Sequence, residues 1–474
     1  MPSTLFGYYL LAVVAGLAGV ASAGLPSKIY GVNLGSWLVL EAWMLPAEWV
    51  DMGGQQCDDC STCIASEFAF AQAFPNTVDA KFDQHWSSWF NQPDVDALVK
   101  AGINTVRIPL GYWLVEALVN RKTEFYPRGG FKQLRRGLSQ LKKANIAVIL
   151  DHHALPGVQT AGQMFTGRCT NDVEFYTPAN YHRALVWTSV MTALTHLDPV
   201  FSSVAAIEAV NEPIMDATQT PGYGDFQKNF VQTVRATEFS VGIPVEGINV
   251  PASFKISSNA NITSALSQTA LAGIFNPEVR SALTEAIPII TKMMIEATLQ
   301  GVLSSSLGAL GVGKRDPLVT NFMDINWQHN SPPNPADAKI GPQAYDNHLY
   351  YSYGVADPNE QAYLTHVCNL DRIQNDAALG NSPLFFGEWG LPTQFAATDA
   401  FLFKWADAQK FSYSKGAGWI FWNFKIEIST LAGDTARQWS YMEGLRRGYL
   451  TQDPSKLHDP HVCDPYITNT TSSA

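Results

Sequence analysis

Charge is scarce in this chain and tilts to one sign. Of 474 residues only 15% are Asp, Glu, Lys or Arg, and 42 acidic residues outnumber 31 Lys and Arg, for a net charge of −11. No basic run occurs, which argues against nucleic acid or an anionic membrane surface as the main partner, so a neutral substrate is expected. There is no internal repeat, no low-complexity stretch and no Pro/Ser-rich linker to separate a second domain. Residues 1–23 carry no charged side chain at all. Within them 5–20 is almost wholly apolar, shorter than the roughly 20 residues of a membrane-spanning helix, and Ala21-Ser22-Ala23 has the small-x-small pattern of a cleavage site. These features predict a signal peptide over 1–23, a single domain over 24–474, and a secreted protein, extracellular or cell-wall associated, with no membrane partner after cleavage. Oligomeric state is left open.

What the chain does have is apolar and aromatic. Hydrophobic residues make up 46%, with 13 Trp and 17 Tyr, enough to enclose a large core and unlike a disordered chain. The six cysteines are an even number in an oxidising setting, so up to three disulfides are expected. Cys57, Cys60 and Cys63 form a C-x-x-C-x-x-C run that would suggest a metal or iron–sulfur site in a reducing compartment; after secretion, disulfides are the expectation. Asn261-Ile-Thr263 and Asn469-Thr-Thr471 match glycosylation acceptors.

Short β-branched runs alternate with helix-like segments. Strands are expected at 29–34, 103–110, 146–150, 204–210, 319–325, 342–350, 383–386 and 419–424, with helical spacing at 95–101, 131–144, 179–197 and 360–378. Eight such units point to an α/β protein, a (β/α)8 TIM barrel. Residues 241–313 do not fit that alternation. Their apolar helical stretch at 276–310 reads as a packing insertion after strand four, on the barrel flank, in preference to a lid or a dimer contact.

Two of the apolar strands run into a carboxylate: Ala209-Val210-Asn211-Glu212-Pro213 and Phe385-Phe386-Gly387-Glu388-Trp389. Strand ends are where functional residues gather in such barrels, and two acids facing each other there suit cleavage of a glycosidic bond. Arg107, at the end of the second strand, could keep a neighbouring Glu charged. His152 and His153 after Asp151 raise a metal site, but the strand-one His-x-His of metal-dependent barrels is missing and a Glu pair needs no metal. No metal or other cofactor is expected.

The segments Gly31-Val32-Asn33-Leu34-Gly35-Ser36-Trp37, Val106-Arg107-Ile108-Pro109, Asn211-Glu212-Pro213, Gly387-Glu388-Trp389 and Gly418-Trp419-Ile420-Phe421-Trp422 occur in that order. Together they resemble glycoside hydrolase family five, and within it the fungal exo-β-1,3-glucanases. The resemblance implies a retaining enzyme releasing glucose from β-glucan, with Glu212 as acid/base and Glu388 as nucleophile. It further implies that Asn211 meets the sugar 2-hydroxyl, Arg107 and Tyr350 support the nucleophile, and His153 and His348 line the site. Trp422 would be the floor beneath the glucose and Glu41 a contact to its hydroxyls. Phe165 and Trp327 are candidates for an aromatic rim platform. Cys368 and Cys463 match a family disulfide, leaving Cys57, Cys60, Cys63 and Cys169 to pair among themselves and fasten the first loop to the third. Where related enzymes carry polar residues after strand three, Val158 and Thr160 stand here, so linkage is open: β-1,6-glucan or a diglycoside is the alternative substrate. A non-catalytic glucan-binding barrel would be expected to have lost one Glu, and both are present.

Overall fold

The computed structural model describes residues 24–311, 315–325 and 333–467. The expected signal peptide, Trp327 and Asn469 lie outside the described residues. Eight parallel strands close in sequence order: β1 (Ile29–Asn33), β2 (Thr105–Gly111), β3 (Ala147–Ala154), β4 (Val204–Glu208), β5 (Val319–Met323), β6 (Gln343–Leu349), β7 (Leu384–Trp389) and β8 (Gly418–Phe421), with β8 pairing back to β1. The chain is a (β/α)8 TIM barrel. The strands read as near-continuous apolar runs because both faces are covered, the outer by helices and the inner by the barrel core. Boundaries differ from expectation mainly at strand ends. β3 runs on through Asp151-His152-His153, whereas β4 stops at Glu208, short of Asn211 and Glu212.

Inside the barrel the period-two alternation stacks layers. Ile29, Ile149, Ala206, Ala344, Phe385 and Ile420 form a dry plug. Two residues further along, the same strands place Asp151, Glu208 and Asp346, and a further two place His153 and His348. The barrel therefore passes from apolar to acidic to the mouth. Glu388 would not share this inward phase on a regular strand. A register shift puts it opposite His348, with Gly387 as the extra residue of β7. Glycine is required there: a Cβ would lie 2.0 Å from Asp346 Oδ2.

Outer helices include Gly130–Lys143, Pro178–Leu197, Tyr223–Ser240, Glu360–Cys368 and Asp399–Tyr413. The expected helix over 360–378 is broken after Cys368 and resumes at Arg372–Ala378. Between β5 and β6 the described residues hold only the short turn Pro335–Ala338, in place of the helix that strict alternation demands. The insertion comprises Ile262–Leu271, Pro277–Glu296 and two shorter helices. It follows the helix Tyr223–Ser240 and leads into β5, so it is separate from the loop that joins β4 to that helix at the mouth. It packs on Pro178–Leu197 and Tyr223–Ser240, as a flank insertion does. The disulfides are Cys57–Cys63, Cys60–Cys169 and Cys368–Cys463.

Candidate active site

Arg107, fully buried at the centre of the mouth, organises the site. Its Nη1 donates to Glu388 Oε1 at 2.9 Å and to Asn33 Oδ1 at 3.2 Å, its Nε to Glu208 Oε2 at 2.8 Å, and its Nη2 to Asn211 Oδ1 at 2.8 Å. Asp151 Oδ2 and Asp346 Oδ2 lie 3.0 and 3.4 Å from the same guanidinium. One guanidinium cannot offset four buried carboxylates, so protons are retained among them. Burial outweighs the pull of Arg107 and raises Asp151 to about 7 and Glu208 to about 8. Glu388 is likewise pushed up to about 7 by burial, against the opposing pull of His348 and Arg107.

Glu212 stands four residues beyond β4. Its φ of 41° is in the left-handed region that a non-glycine residue rarely adopts, and it precedes Pro213. The surroundings hold it there. Asn211 N donates to His152 O at 3.1 Å, Thr160 Oγ1 donates to Glu212 O at 2.5 Å, and Gln159 Nε2 donates to Asn211 O at 3.0 Å. Thr160 was expected to remove a polar group from this rim. Instead its hydroxyl fixes the backbone of Glu212.

His348 joins the two acids. Its Nδ1 is 2.8 Å from Glu212 Oε1 and 3.5 Å from Glu388 Oε2, and one donor atom from each of the three residues lies within 4.8 Å of the others. Glu388 and Asp346 hold His348 protonated well above the usual imidazole range, despite burial. Tyr350 donates its hydroxyl to Glu388 Oε2 at 2.8 Å, so both oxygens of that carboxylate are engaged. This trio has the donor types for a divalent metal, but an ion there would take both acids out of acid–base and nucleophilic work.

The remaining sequence-predicted residues divide by position. His153 pairs its Nδ1 with Asp151 Oδ2 at 2.6 Å, and burial together with Arg107 lowers it to about 3, so the ring is neutral. It stacks parallel to Trp422 with centroids 5.6 Å apart and meets Phe165 edge-on. His152 turns the other way and stacks on Trp187. Glu41 accepts from Trp43 Nε1 at 2.9 Å, and burial raises it to about 8, which leaves a neutral carboxyl able to donate and accept. Glu41, His153, Phe165, Asn211, Glu212, His348, Tyr350, Glu388 and Trp422 all line one cavity of about 1020 Å³. Arg107 lies beneath it. Cys368 and Cys463 do not line it, and exposed Asn261 caps the helix Ile262–Leu271 by accepting from Ser264 N.

Several residues of the site escaped the sequence reading. Asp151, Glu208 and Asp346 had a visible signal, polar residues recurring every second position in otherwise apolar strands. Trp43, Trp439 and Tyr353 also line the cavity. Rings Tyr353, Tyr350, Trp439 and Trp43 follow one another with centroids 6.1, 5.3 and 5.2 Å apart, a row that lone aromatics in loops do not announce.

The sequence profile of the family described as Cellulase (glycosyl hydrolase family 5) matches residues 74–427. Glucan endo-1,6-beta-glucosidase B of Emericella nidulans is 27% identical over 450 residues, covering 92% of this chain and 88% of that protein. A probable glucan endo-1,6-beta-glucosidase B of Neosartorya fischeri is 28% identical, covering 96% and 99%. A probable glucan 1,3-beta-glucosidase A of Aspergillus niger is 34% identical over a shorter stretch, 39% of this chain and 41% of that one. Among solved structures, rutinosidase from Aspergillus niger superposes with a TM-score of 0.56 at 17% identity, covering 89% and 97%, a likeness of fold. The profile match spans most of the barrel, and the chain therefore belongs to glycosyl hydrolase family 5, a hydrolase of O-glycosyl bonds.

Proposed function

We propose that this protein is a secreted, retaining β-glucanase acting on β-1,6-linked glucan with endo action. The observation that carries the retaining chemistry is the approach of Glu212 and Glu388 to within 4.8 Å. Retaining glycosidases hold their carboxyls about 5–5.5 Å apart, whereas inverting ones leave room for a water between them. Glu388 attacks the anomeric carbon while Glu212 protonates the departing oxygen. Glu212 then takes a proton from the water that releases the sugar. Arg107 and Tyr350 direct the two oxygens of Glu388 and favour its anion, which burial alone would suppress. Asn211 spends its Oδ1 on Arg107, leaving its amide to donate to the sugar 2-hydroxyl. Trp422 offers a flat ring to the apolar face of the glucose.

Relatives that match nearly the whole chain and are named for endo-1,6 cleavage support this linkage. Substrate size agrees: about 1020 Å³ reaches the top of the range of about 300–1,000 Å³ for sites that enclose one small molecule. The second reading, exo-cleavage of β-1,3-glucan, is favoured by the higher identity over a shorter stretch to a 1,3-beta-glucosidase and by the strand-end motifs. Secretion is proposed from the expected signal peptide and the three disulfides. No helix among the described residues is long and apolar enough to cross a membrane.

Digestion of linear β-1,6-glucan and linear β-1,3-glucan, with products separated by size and early anomers followed by proton NMR, tests this. A ladder of β-1,6 oligomers, first appearing as β-anomers, is expected. Glucose alone from β-1,3-glucan would establish the second reading. Initial α-anomers would mean inversion.

A further inference from the structure

Two loops with little regular structure meet at one side of the cavity and are covalently pinned. Cys57–Cys63 closes a small ring within the loop after β1, and Cys60–Cys169 ties that ring to the loop after β3, across 109 residues. Cys60 Sγ also approaches Gly162 O at 3.6 Å, Gly162 N donates to Thr170 O at 2.9 Å, and Met164 packs on the buried sulfurs. Asp58, Asp59 and Cys60 from the first loop, and 162–165 from the second, face the cavity as one wall.

This wall is continuous with the backbone of Glu212. From Gly162 the chain runs back to Thr160, which holds Glu212 O, and to Gln159, which bridges His153 O and Asn211 O. Tyr176 OH donates to Gln159 O and accepts from Ile214 N, fastening the same loop on the other side of Glu212. Glu41, Trp43 and Trp439 lie with Tyr350, the partner of Glu388. The stapled wall thus belongs to the side of Glu212, and the aromatic row to the side of Glu388.

We infer that the doubly stapled wall, built by Asp58–Cys60 and Gln163–Phe165, binds the leaving-group side of the glucan, the sugar units beyond the bond being cut. The inference builds on the assignment of Glu212 as acid. A leaving oxygen protonated by Glu212 departs along the side Glu212 occupies, and the next sugars run over the wall. Exposed carboxylates of Asp58 and Asp59 and the amide of Gln163 accept or donate to sugar hydroxyls, while Met164 and Phe165 offer apolar surface to ring faces. The staple gives the wall its purpose. A loop ordered only on binding would lose affinity to entropy, and cross-linking removes that cost in advance.

The test compares two substrates on the folded, full-length protein. One is linear β-1,6-glucan. The other is an aryl β-glycoside of a short β-1,6-oligomer, whose leaving group is a single ring too small to cover the wall. The Cys60→Ser/Cys169→Ser variant is expected to raise KM for the glucan about tenfold or more while turnover of the aryl glycoside stays within about twofold. Gln163→Ala/Met164→Ala, which keeps both disulfides, should shift the glucan KM in the same direction. The control Cys368→Ser/Cys463→Ser should leave the ratio between substrates unchanged. A glucan KM unaltered in the Gln163/Met164 variant, or equal losses on both substrates, overturns the inference. Wild-type turnover of the glucan reports separately on the functional reading itself.

Discussion

The mouth of the barrel and the flank insertion solve opposite problems. At the mouth, charged side chains from different strands are buried almost completely and converge on Arg107. Arg107 alone engages residues of β1, β3, β4, β6 and β7, together with Asn211 beyond β4. On the flank, Ile262, Leu266, Val279, Leu283 and Ile290 are buried, and cohesion is apolar. Its polar fastenings lie at the edges: His182 is set between the more exposed Glu278 at 2.7 Å and Glu285 at 3.1 Å, and Asn276 Nδ2 donates to Asn229 Oδ1 at 2.7 Å. Directional contacts fix atoms to fractions of an ångström, whereas apolar contacts mainly fix volume. The mouth should therefore lose function while keeping its fold, and the flank should lose stability while keeping its function.

The largest effect expected at the mouth is from Glu388→Gln, which preserves shape and removes the nucleophile. Turnover should fall about 10⁴-fold on every substrate, as removing a covalent participant does in other hydrolases. Glu212→Gln should behave differently. On glucan the loss should be about 10²–10⁴-fold, the range for a general acid. On an aryl glycoside with an acidic phenol the first step needs no proton, and most of that loss should vanish from it. Kinetics on the two substrate types measure the contrast, and equal losses for both variants on both substrates would reverse or abolish the assignments.

The two acids were readable because each ends an apolar strand, where a charge has no packing reason to be. The acidic layer beneath them was readable in principle, since Asp151 and His153, or Asp346 and His348, share one face of a strand. It escaped attention because nothing in one strand reveals that its acids meet those of another around a single arginine. The inward turn of Glu388 was out of reach, being the product of a bulge at Gly387 that the linear pattern does not mark. Cysteine pairing beyond Cys368–Cys463 was equally hidden, since it depends on where two irregular loops meet. The insertion was legible as a flank element, since the break in the alternation at residue 241 falls directly after the helix Tyr223–Ser240.

A smaller effect at the mouth separates orientation from chemistry. Tyr350→Phe removes one donor from Glu388 and leaves the ring in its aromatic row. A hydrogen bond to a charged group contributes about 1.5–3 kcal/mol, so kcat/KM should fall about 10–100-fold. The donor favours the carboxylate, so losing it raises Glu388 further above its ordinary range, on top of the rise to about 7 that burial already imposes. Because the nucleophile works ionised, the acid-side limb of the kcat/KM profile should move to higher pH. A pH profile displaced to lower pH would show that Tyr350 stabilises the protonated form instead.

The smallest effect on turnover is expected at the flank, and it is the most demanding test of the contrast. Leu283 is 1% exposed in the helix Pro277–Glu296, which packs on Pro178–Leu197, the helix that leads toward β4. Leu283→Ala should destabilise the protein by about 2–5 kcal/mol, a loss of transfer energy plus a cavity. Denaturant unfolding reads that change, and kcat/KM of the folded fraction should remain within about twofold. The reason lies in the route between them. A shift at Leu283 reaches Glu212 through the helices Pro178–Leu197 and Tyr223–Ser240, and Glu212 is independently held by Thr160 and by Asn211, whose amide is fixed on the backbone of β3. Those contacts bypass the flank. A tenfold fall in turnover of folded Leu283→Ala would mean that they do not, and that the position of Glu212 is set from behind by helix packing as much as from the rim.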